Sequence, residues 1–318
     1  MFYTLCVALC LAVLFIVMTS AGMVCSVCFR LLKPMLRLLP PRLAAKLLFT
    51  IRALPLLLAV LVTFGLVLPA FLKFEPRSTG ELMGSPLLGL AILGAFVLLV
   101  IVARGVRLIS ATRQLQKQWQ AVATRLRIPD IKVPVYQVER AITLLAVSGM
   151  FRPKIYVSRQ VAATLTSAEL SAALIHETAH VTSFDNLKQF VLRITRLSSK
   201  ADVEWMNASE IAADEAALAG GASVLDLSSA LIKVGRLGRS VSQQDAIVAC
   251  HLLPEAAGSM EMRVTHLQKL LEGNCQPPRA SEHKYVGLYS FLLLLIAYAA
   301  CVNAILPWIH EALEFLVR

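Results

Sequence analysis

The sequence contains few charged side chains, few acids and no cysteine pattern typical of a secreted domain. Only 16% of its 318 residues are Asp, Glu, Lys or Arg, whereas an average soluble domain carries about a quarter. Hydrophobic residues make up 57% of the chain, and the mean hydropathy is +0.69. This composition excludes a freely soluble enzyme and a disordered chain. The seven cysteines are widely spread, which argues against a disulfide framework.

Long hydrophobic runs are abundant instead. A helix that crosses a bilayer needs about 20 predominantly apolar residues. Four uncharged runs reach that length, at residues 2–29, 53–72, 82–103 and 285–309. We therefore expect a mainly α-helical integral membrane protein with about four transmembrane helices. Three of them belong to residues 1–104, and the fourth belongs to residues 285–318 together with a short outer tail.

The distribution of positive charge predicts the orientation in the membrane. The chain has 31 Lys and Arg against 20 Asp and Glu, a net charge of +11. The loop at residues 30–52 holds six cations and no acid, and a second basic stretch opens at Arg104. The positive-inside rule places both in the cytoplasm. Leucines alternate with the cations of the loop, which predicts an amphipathic stretch on the inner leaflet.

The polar segment at residues 105–284 is long enough for one compact domain. Its pattern predicts a helix at Gln114–Arg127, followed by short strands at Ile131–Val138, Ala141–Val147 and Lys154–Ser158. The pattern turns helical from Thr164 onward. We expect an α+β domain with a small β-sheet.

An HExxH motif at residues 176–180 carries the chemistry of this domain. His176 and His180 are one helical turn apart, so both imidazoles can reach one zinc ion. Glu177 can then act as general base toward a zinc-bound water. A capping-box pattern, Thr166 to Glu169, precedes the motif and predicts the start of its helix. The alternative is a pair of ordinary histidines on an amphipathic helix.

A second helical pattern about 30 residues downstream offers a third ligand. Catalytic zinc sites use three protein ligands and keep one position open. Glu210 would complete a His₂Glu set, and Asp214, one turn later, could hold a ligand imidazole through its other nitrogen. Glu204 and Glu215 compete for the ligand role. A solvated acidic helix face is the alternative for Glu210 and Asp214.

Together these motifs resemble the membrane gluzincin peptidases typified by the beta-lactam sensor-transducers of bacteria. Those proteins are related to the CAAX-prenyl-protease and heat-shock membrane metalloproteases. The resemblance covers roughly residues 150 to 270 and is carried by the stretches at 152–158, 165–170, 176–180, 185–187, 210–218 and 227–233. It implies a zincin-like cytoplasmic domain in a multi-pass protein of the bacterial cytoplasmic (inner) membrane.

The resemblance also implies residue roles. His176, His180 and Glu210 would be the Zn²⁺ ligands, with Glu177 as the base. Three further residues would support them. Asp214 would hold a ligand, and Asp185 would fix the end of the active-site helix, simple helix capping being its alternative. Arg263 would lie near the site and pair with Asp214, unless it is a surface arginine.

Two features depart from the family pattern. The prenyl-protease relatives place a His-Pro six residues before the arginine, where this chain has Ala257, so the transition-state donor is unassigned and His251 is only a weak candidate. The SxxK match at residues 281–284 lacks the KTG and SDN motifs of penicillin-binding domains. Beta-lactam sensing is therefore not expected.

The expected function is that of a membrane-bound zinc endopeptidase in regulatory signalling. It would cleave cytoplasmic or membrane-proximal proteins by glutamate-assisted attack of zinc-bound water, and the strand Lys154–Ser158 would align an extended peptide by strand addition. The partners are then a protein or peptide substrate and the lipid bilayer; a transcriptional repressor or a membrane protein is a candidate substrate, and no direct nucleic-acid contact is expected. The alternative is a non-catalytic, zinc-containing membrane signal transducer or scaffold.

Overall fold

The computed structural model describes most of the chain. The described residues are 2–76, 84–128, 131–139, 145–195, 199–238, 256–272, 298, 302 and 304–314. In this part of the chain the structure is mainly helical, with one small mixed sheet. Apolar helices come first, and the sheet and the helices that carry the HExxH motif follow.

The first four helices are α1 (Phe2–Leu36), α2 (Pro41–Val62), α3 (Leu68–Phe74) and α4 (Ser85–Gln120). A π-helical turn, Thr63–Val67, joins α2 to α3 without a break. Among the described residues, three helical stretches are long and apolar enough to cross a membrane: α1, α2 through α3, and α4. They coincide with the first three predicted spans. The fourth predicted span, 285–309, lies largely outside the described residues.

The apolar helices pack closely on one another. A Cβ atom at Gly94 of α4 would overlap the carbonyl oxygen of Leu11 in α1, so the two backbones touch where glycine lies. Residues near the C-terminus join the same cluster, since Leu313 packs with Leu5, Leu9 and Phe71. The described part of the C-terminal segment therefore lies against the apolar helices.

The sheet consists of β1 (Ala123–Leu126), β2 (Val135–Val138), β3 (Leu145–Ser148) and β4 (Lys154–Ser158), in the order β1-β2-β4-β3. β2 and β4 are parallel, and the other two pairs are antiparallel. β2 and β4 are the two inner strands, and β4 contributes most to the core of the domain. Its residues Ile155, Tyr156 and Val157 are fully buried.

Two of the predicted boundaries are wrong. The helix expected at Gln114–Arg127 ends at Gln120, because Trp119 packs on Tyr156 and the chain then turns into β1. The strand expected from Ile131 begins only after Pro134, which has no N–H to donate to a ladder. Of the strand expected at Ala141–Val147, the described residues form β3 at Leu145–Ser148, and residues 140–144 lie outside the described part.

Among the described residues up to 272, six helices follow the sheet. They are α5 (Arg159–Thr164), α6 (Ser167–Thr182), α7 (Asp185–Thr195), α8 (Ser199–Ala219), α9 (Val224–Gly238) and α10 (Ala256–Leu271). The predicted capping box of α6 is present, since Thr166 N–H donates to Glu169 Oε2 (2.8 Å) and Glu169 N–H donates to Thr166 Oγ1 (3.2 Å). Leu174 of α6 is buried against Ile155 of the sheet core. Together these interactions fix the position of the HExxH helix on the sheet.

Helix α8 joins this domain to the apolar helices. Trp205 of α8 is buried with Leu36 of α1 and Leu48 of α2. Residues 30–36 and 41–52, part of the stretch expected as a basic loop, are the helical ends of α1 and α2, and both ends contact α8. Ion pairs strengthen the contact: Arg52 Nε binds Asp202 at 2.8 Å, and Lys33 binds Glu204 at 2.8 Å.

Candidate metal centre

The two histidines of the HExxH motif meet Glu210 at the centre of the domain. His176 and His180 lie one turn apart on α6, and Glu210 faces them from α8. The Nε2 atoms of the histidines are 3.1 Å apart, and carboxylate oxygens of Glu210 lie 3.6 Å from His176 Nε2 and 3.5 Å from His180 Nε2. The three donors lie within 4.8 Å of one another. This set could therefore hold a metal ion.

The donor set fits zinc in both chemistry and spacing. Zinc prefers His nitrogen and carboxylate oxygen at about 2.0–2.1 Å, so tetrahedral ligand atoms lie about 3.4 Å apart. The three observed distances, 3.1 to 3.6 Å, lie close to that value, and the two that involve Glu210 are to different oxygens of its carboxylate. When each imidazole carries its proton on Nδ1, beside its carboxylate, both Nε2 lone pairs face the same point and can share one cation.

Each imidazole is held at its other nitrogen by a carboxylate. His180 Nδ1 lies 2.9 Å from Asp185 Oδ2. His176 Nδ1 lies 2.9 Å from Asp214 Oδ1, although the two atoms are not aligned as a good hydrogen bond. Carboxylates in this position orient metal-binding histidines and leave Nε2 for the metal. Asp185 also accepts from Lys188 Nζ (3.1 Å) at the start of α7, so it stabilises that helix as well.

Arg263 of α10 neutralises the acids of the site. Its Nε and Nη2 donate to the two oxygens of Asp214 at 2.8 and 2.6 Å, and its Nη1 lies 2.8 Å from Glu210 Oε2. Asp214 has no exposed surface. The arginine expected near the site is thus placed on Asp214 rather than at the surface, and it also fixes the carboxylate of Glu210.

Burial and charge together shift the pKa values of these groups. Burial acts to raise the pKa of Asp214 and Glu210, but the neighbouring imidazoles and Arg263 hold both well below their usual range. Burial and Arg263 act to lower the pKa of His176, yet Asp214 and Glu210 raise it to about 9. A metal ion and protons therefore compete for the same imidazole.

Glu177 differs from the other acids of the site. It lies next to His176 on α6, and burial raises its pKa while the two imidazoles act in the opposite direction. A carboxyl group with a raised pKa accepts a proton more readily, which suits proton transfer. Its position and its environment both match those of a general base.

The competing acids lie elsewhere. Glu204 pairs with Lys33 and Arg37 of α1, and Glu215 lies 3.2 Å from His266 Nε2 of α10. Neither belongs to the donor cluster, which leaves Glu210 in the third position. His251 lies outside the described residues.

The turn between α6 and α7 adds a contact that the sequence did not reveal. Asn186 Nδ2 donates to the carbonyl oxygens of Gly149 (3.0 Å) and Val147 (3.4 Å), next to Asp185 in the chain. It thereby ties the residue that holds His180 to strand β3. No local pattern in the sequence signals this contact, because it joins residues almost 40 positions apart.

A comparison with known protein families matches residues 79–267 to BlaR1 peptidase M56. The match covers more than half of the chain and includes the sheet and the complete donor cluster. No curated protein and no solved structure matches the chain. Peptidases of this kind are membrane-associated metallopeptidases, which agrees with the apolar helices and the His-His-Glu cluster. The chain therefore belongs to the BlaR1 peptidase M56 family.

Proposed function

We propose that this protein is a zinc endopeptidase in which His176, His180 and Glu210 hold the metal and Glu177 is the catalytic base. The convergence of the three donor atoms beside Glu177 is the observation that carries the proposal. Carboxylates orient both imidazoles, and Arg263 fixes the carboxylate of Glu210. A site that served only to fold the chain would not need a half-buried carboxyl group next to the ligands.

The side chains of the site divide the chemistry among them. A zinc ion held there would supply Lewis acidity toward the carbonyl of a peptide bond. Glu177 would take a proton from the attacking water onto its carboxylate and pass it to the leaving amine. Asp185 and Asp214 would keep the imidazoles oriented, and Arg263 would keep Asp214 charged in a buried position.

The edge of the sheet suggests a path for an extended substrate. β4, which we expected to align the peptide, is paired with β2 on one side and β3 on the other, so it has no free edge. In the described part of the chain, β3 pairs with β4 only, and it packs against α6. We propose that the peptide adds to β3 instead.

We further propose a multi-pass protein of the bacterial cytoplasmic membrane with the peptidase domain, residues 105–284, in the cytoplasm. The cations at residues 30–52 and after residue 103 support this orientation. Substrates would be cytoplasmic or membrane-proximal proteins, with a transcriptional repressor or a membrane protein as candidates. α8 contacts α1 and α2 and also supplies Glu210, so it connects the apolar helices directly to the candidate metal site. This connection supports a role in signalling across the membrane.

Zinc content and cleavage of an unfolded protein test this proposal. We expect detergent-purified wild type to hold about one zinc per chain and to cleave fluorescein-labelled casein. Glu210→Gln should lose most of the zinc, whereas Glu204→Gln, on the same helix but outside the cluster, should keep it. Glu177→Gln should keep the zinc and slow cleavage by about 10²- to 10⁴-fold.

Each result has an opposite that would reject the proposal. Wild type without zinc, or Glu210→Gln with full zinc, would exclude the ligand set. Stoichiometric zinc in a chain that cleaves nothing, with or without Glu177, would favour the scaffold alternative.

A further inference from the structure

The turn after the HExxH helix has an unusual backbone. Phe184 has φ of +56°, and among the described non-glycine residues it is the one with positive φ. Its N–H donates to Val181 O (3.1 Å), as expected for a residue that ends a helix in the left-handed region. Glycine or asparagine usually takes this position, because a Cβ atom makes it unfavourable. Phenylalanine is therefore a costly choice for the backbone.

Burial does not explain that choice. The side chain of Phe184 is 65% exposed, so its ring adds little to the hydrophobic core. A strained residue that persists without packing is a candidate for function.

The neighbours of Phe184 place it at the candidate metal centre. Asp185, the next residue, holds His180 at 2.9 Å, and Asn186 binds Gly149 O at the end of β3. A second exposed aromatic residue, Phe151 (84% exposed), follows two positions after Gly149. Phe184 thus directly precedes a residue that orients a metal ligand, and it lies two positions before the residue that ties α7 to the end of β3, where we propose that the peptide adds.

The position of α7 along α4 separates this ring from the bilayer. Arg104, directly after the apolar run of α4, donates to Ile194 O (3.5 Å) near the end of α7. Phe184 precedes Ile194 by ten residues, about 15 Å along a helix. The position of Gly149, which Asn186 binds, agrees with this distance. A Cβ atom at Gly149 would lie 3.1 Å from the side chain of Gln116, which follows Arg104 on α4 by twelve residues, or about 18 Å. A polypeptide is therefore the occupant that this position favours, rather than a lipid tail.

We propose that Phe184 forms a subsite that binds an apolar side chain of the polypeptide substrate as it lies along β3. The inference rests on the proposed peptidase function and adds a substrate preference to it. Phe184 is 65% exposed in a backbone conformation that glycine would adopt more easily, so its side chain is available to a partner without any movement of the helix.

Peptide binding without turnover tests the subsite. The probes are fluorescein-labelled eight-residue peptides, a serine-rich parent and a series with Leu at each position in turn, measured by anisotropy on full-length Glu177→Gln protein. We expect one Leu position to bind more tightly than the parent. Adding Phe184→Gly should weaken the binding of that Leu peptide about tenfold or more and leave the binding of the parent peptide unchanged. The control Leu225→Ala removes an equally exposed side chain (65%) on α9 and should change neither.

Stability measurements exclude trivial loss of structure. Because glycine suits the left-handed turn, Phe184→Gly should keep its zinc and melt at the same or a higher temperature. Equal binding with and without the ring, or no binding of any Leu peptide, would overturn the inference. The inference would also be overturned if brominated lipid tails quenched the tryptophan fluorescence of Phe184→Trp more than that of wild type, because this result would place the side chain in the bilayer. Ring-dependent binding in a chain that cleaves no protein would refute the endopeptidase proposal alone.

Discussion

Asp214→Asn removes one negative charge from a fully buried carboxylate and leaves its shape almost unchanged. In the wild type, Asp214 faces His176 Nδ1 at 2.9 Å and accepts two hydrogen bonds from Arg263 at 2.8 and 2.6 Å. The amide of asparagine can accept only through its oxygen, and its NH₂ group opposes one of these donors. We therefore expect the variant to loosen both the imidazole and the arginine.

The size of the effect follows from these contacts. Loss of a carboxylate that orients a metal-binding histidine lowers metal affinity about tenfold to a hundredfold, which corresponds to about 1.4–2.7 kcal/mol. Breaking a buried ion pair costs about 3–5 kcal/mol of folding free energy when the remaining charge has no partner. Arg263 keeps Glu210 at 2.8 Å, so we expect about 2–3 kcal/mol here.

Competition with a fluorescent zinc chelator measures the affinity, and thermal melting in detergent measures the stability. Glu261→Gln is the matched control, because Glu261 is an exposed acid on the same helix as Arg263. Unaltered zinc affinity in Asp214→Asn would refute the role of Asp214 in orienting His176. A similar loss in both variants would assign the effect to net charge rather than to contact.

Three further predictions concern stability and are checked by melting temperature. Gly94→Ala should lower it by forcing α1 and α4 apart, whereas Gly89→Ala, with nothing within 4 Å of its new Cβ, should not. Hydrogen bonds from Lys233 and Ser229 lower the pKa of Glu169 from 4.5 to about 2. The Glu169 carboxylate therefore stabilises the fold fully above about pH 4.5, and this stabilisation is lost as the pH falls toward 2. Glu169→Gln should accordingly destabilise the protein at neutral pH, and that difference should shrink in acid; a constant difference would contradict the reasoning. Arg52→Gln, at a buried pair, should destabilise by more than Glu204→Gln, at an exposed pair worth about 1 kcal/mol or less.

Much of the candidate site could be predicted because its signals are local. The capping box of α6 and the spacing of His176 and His180 depend on residues within one or two helical turns. The same holds for Glu210 and Asp214, whose four-residue spacing puts them on one face of α8. The sequence alone could not determine which acid of α8 is the third metal ligand, because that depends on which of them faces α6 and which faces α1.

The errors lie where distant parts of the chain meet. The end of α4 is set by Trp119 packing on Tyr156, and β1 is a strand only because β2 pairs with it. The inner position of β4 likewise depends on strands that precede it by up to 20 residues. No short stretch of sequence encodes such pairings. The positive φ of Phe184 could not be predicted either, because the position lacks the glycine that usually indicates this conformation.

The placement of α8 affects how the protein can be studied in pieces. The histidines belong to a helix that rests on the sheet, whereas Glu210 belongs to a helix whose first turns are anchored on α1 and α2 through Trp205 and Arg52. Asp202 and Glu210 are eight residues, about 12 Å, apart along one stiff rod. A recombinant fragment that begins after the apolar helices would expose Trp205 and remove the contacts that hold α8 in place. Such a fragment should aggregate more readily and bind zinc more weakly than the intact chain, so assays belong in detergent or in reconstituted bilayers.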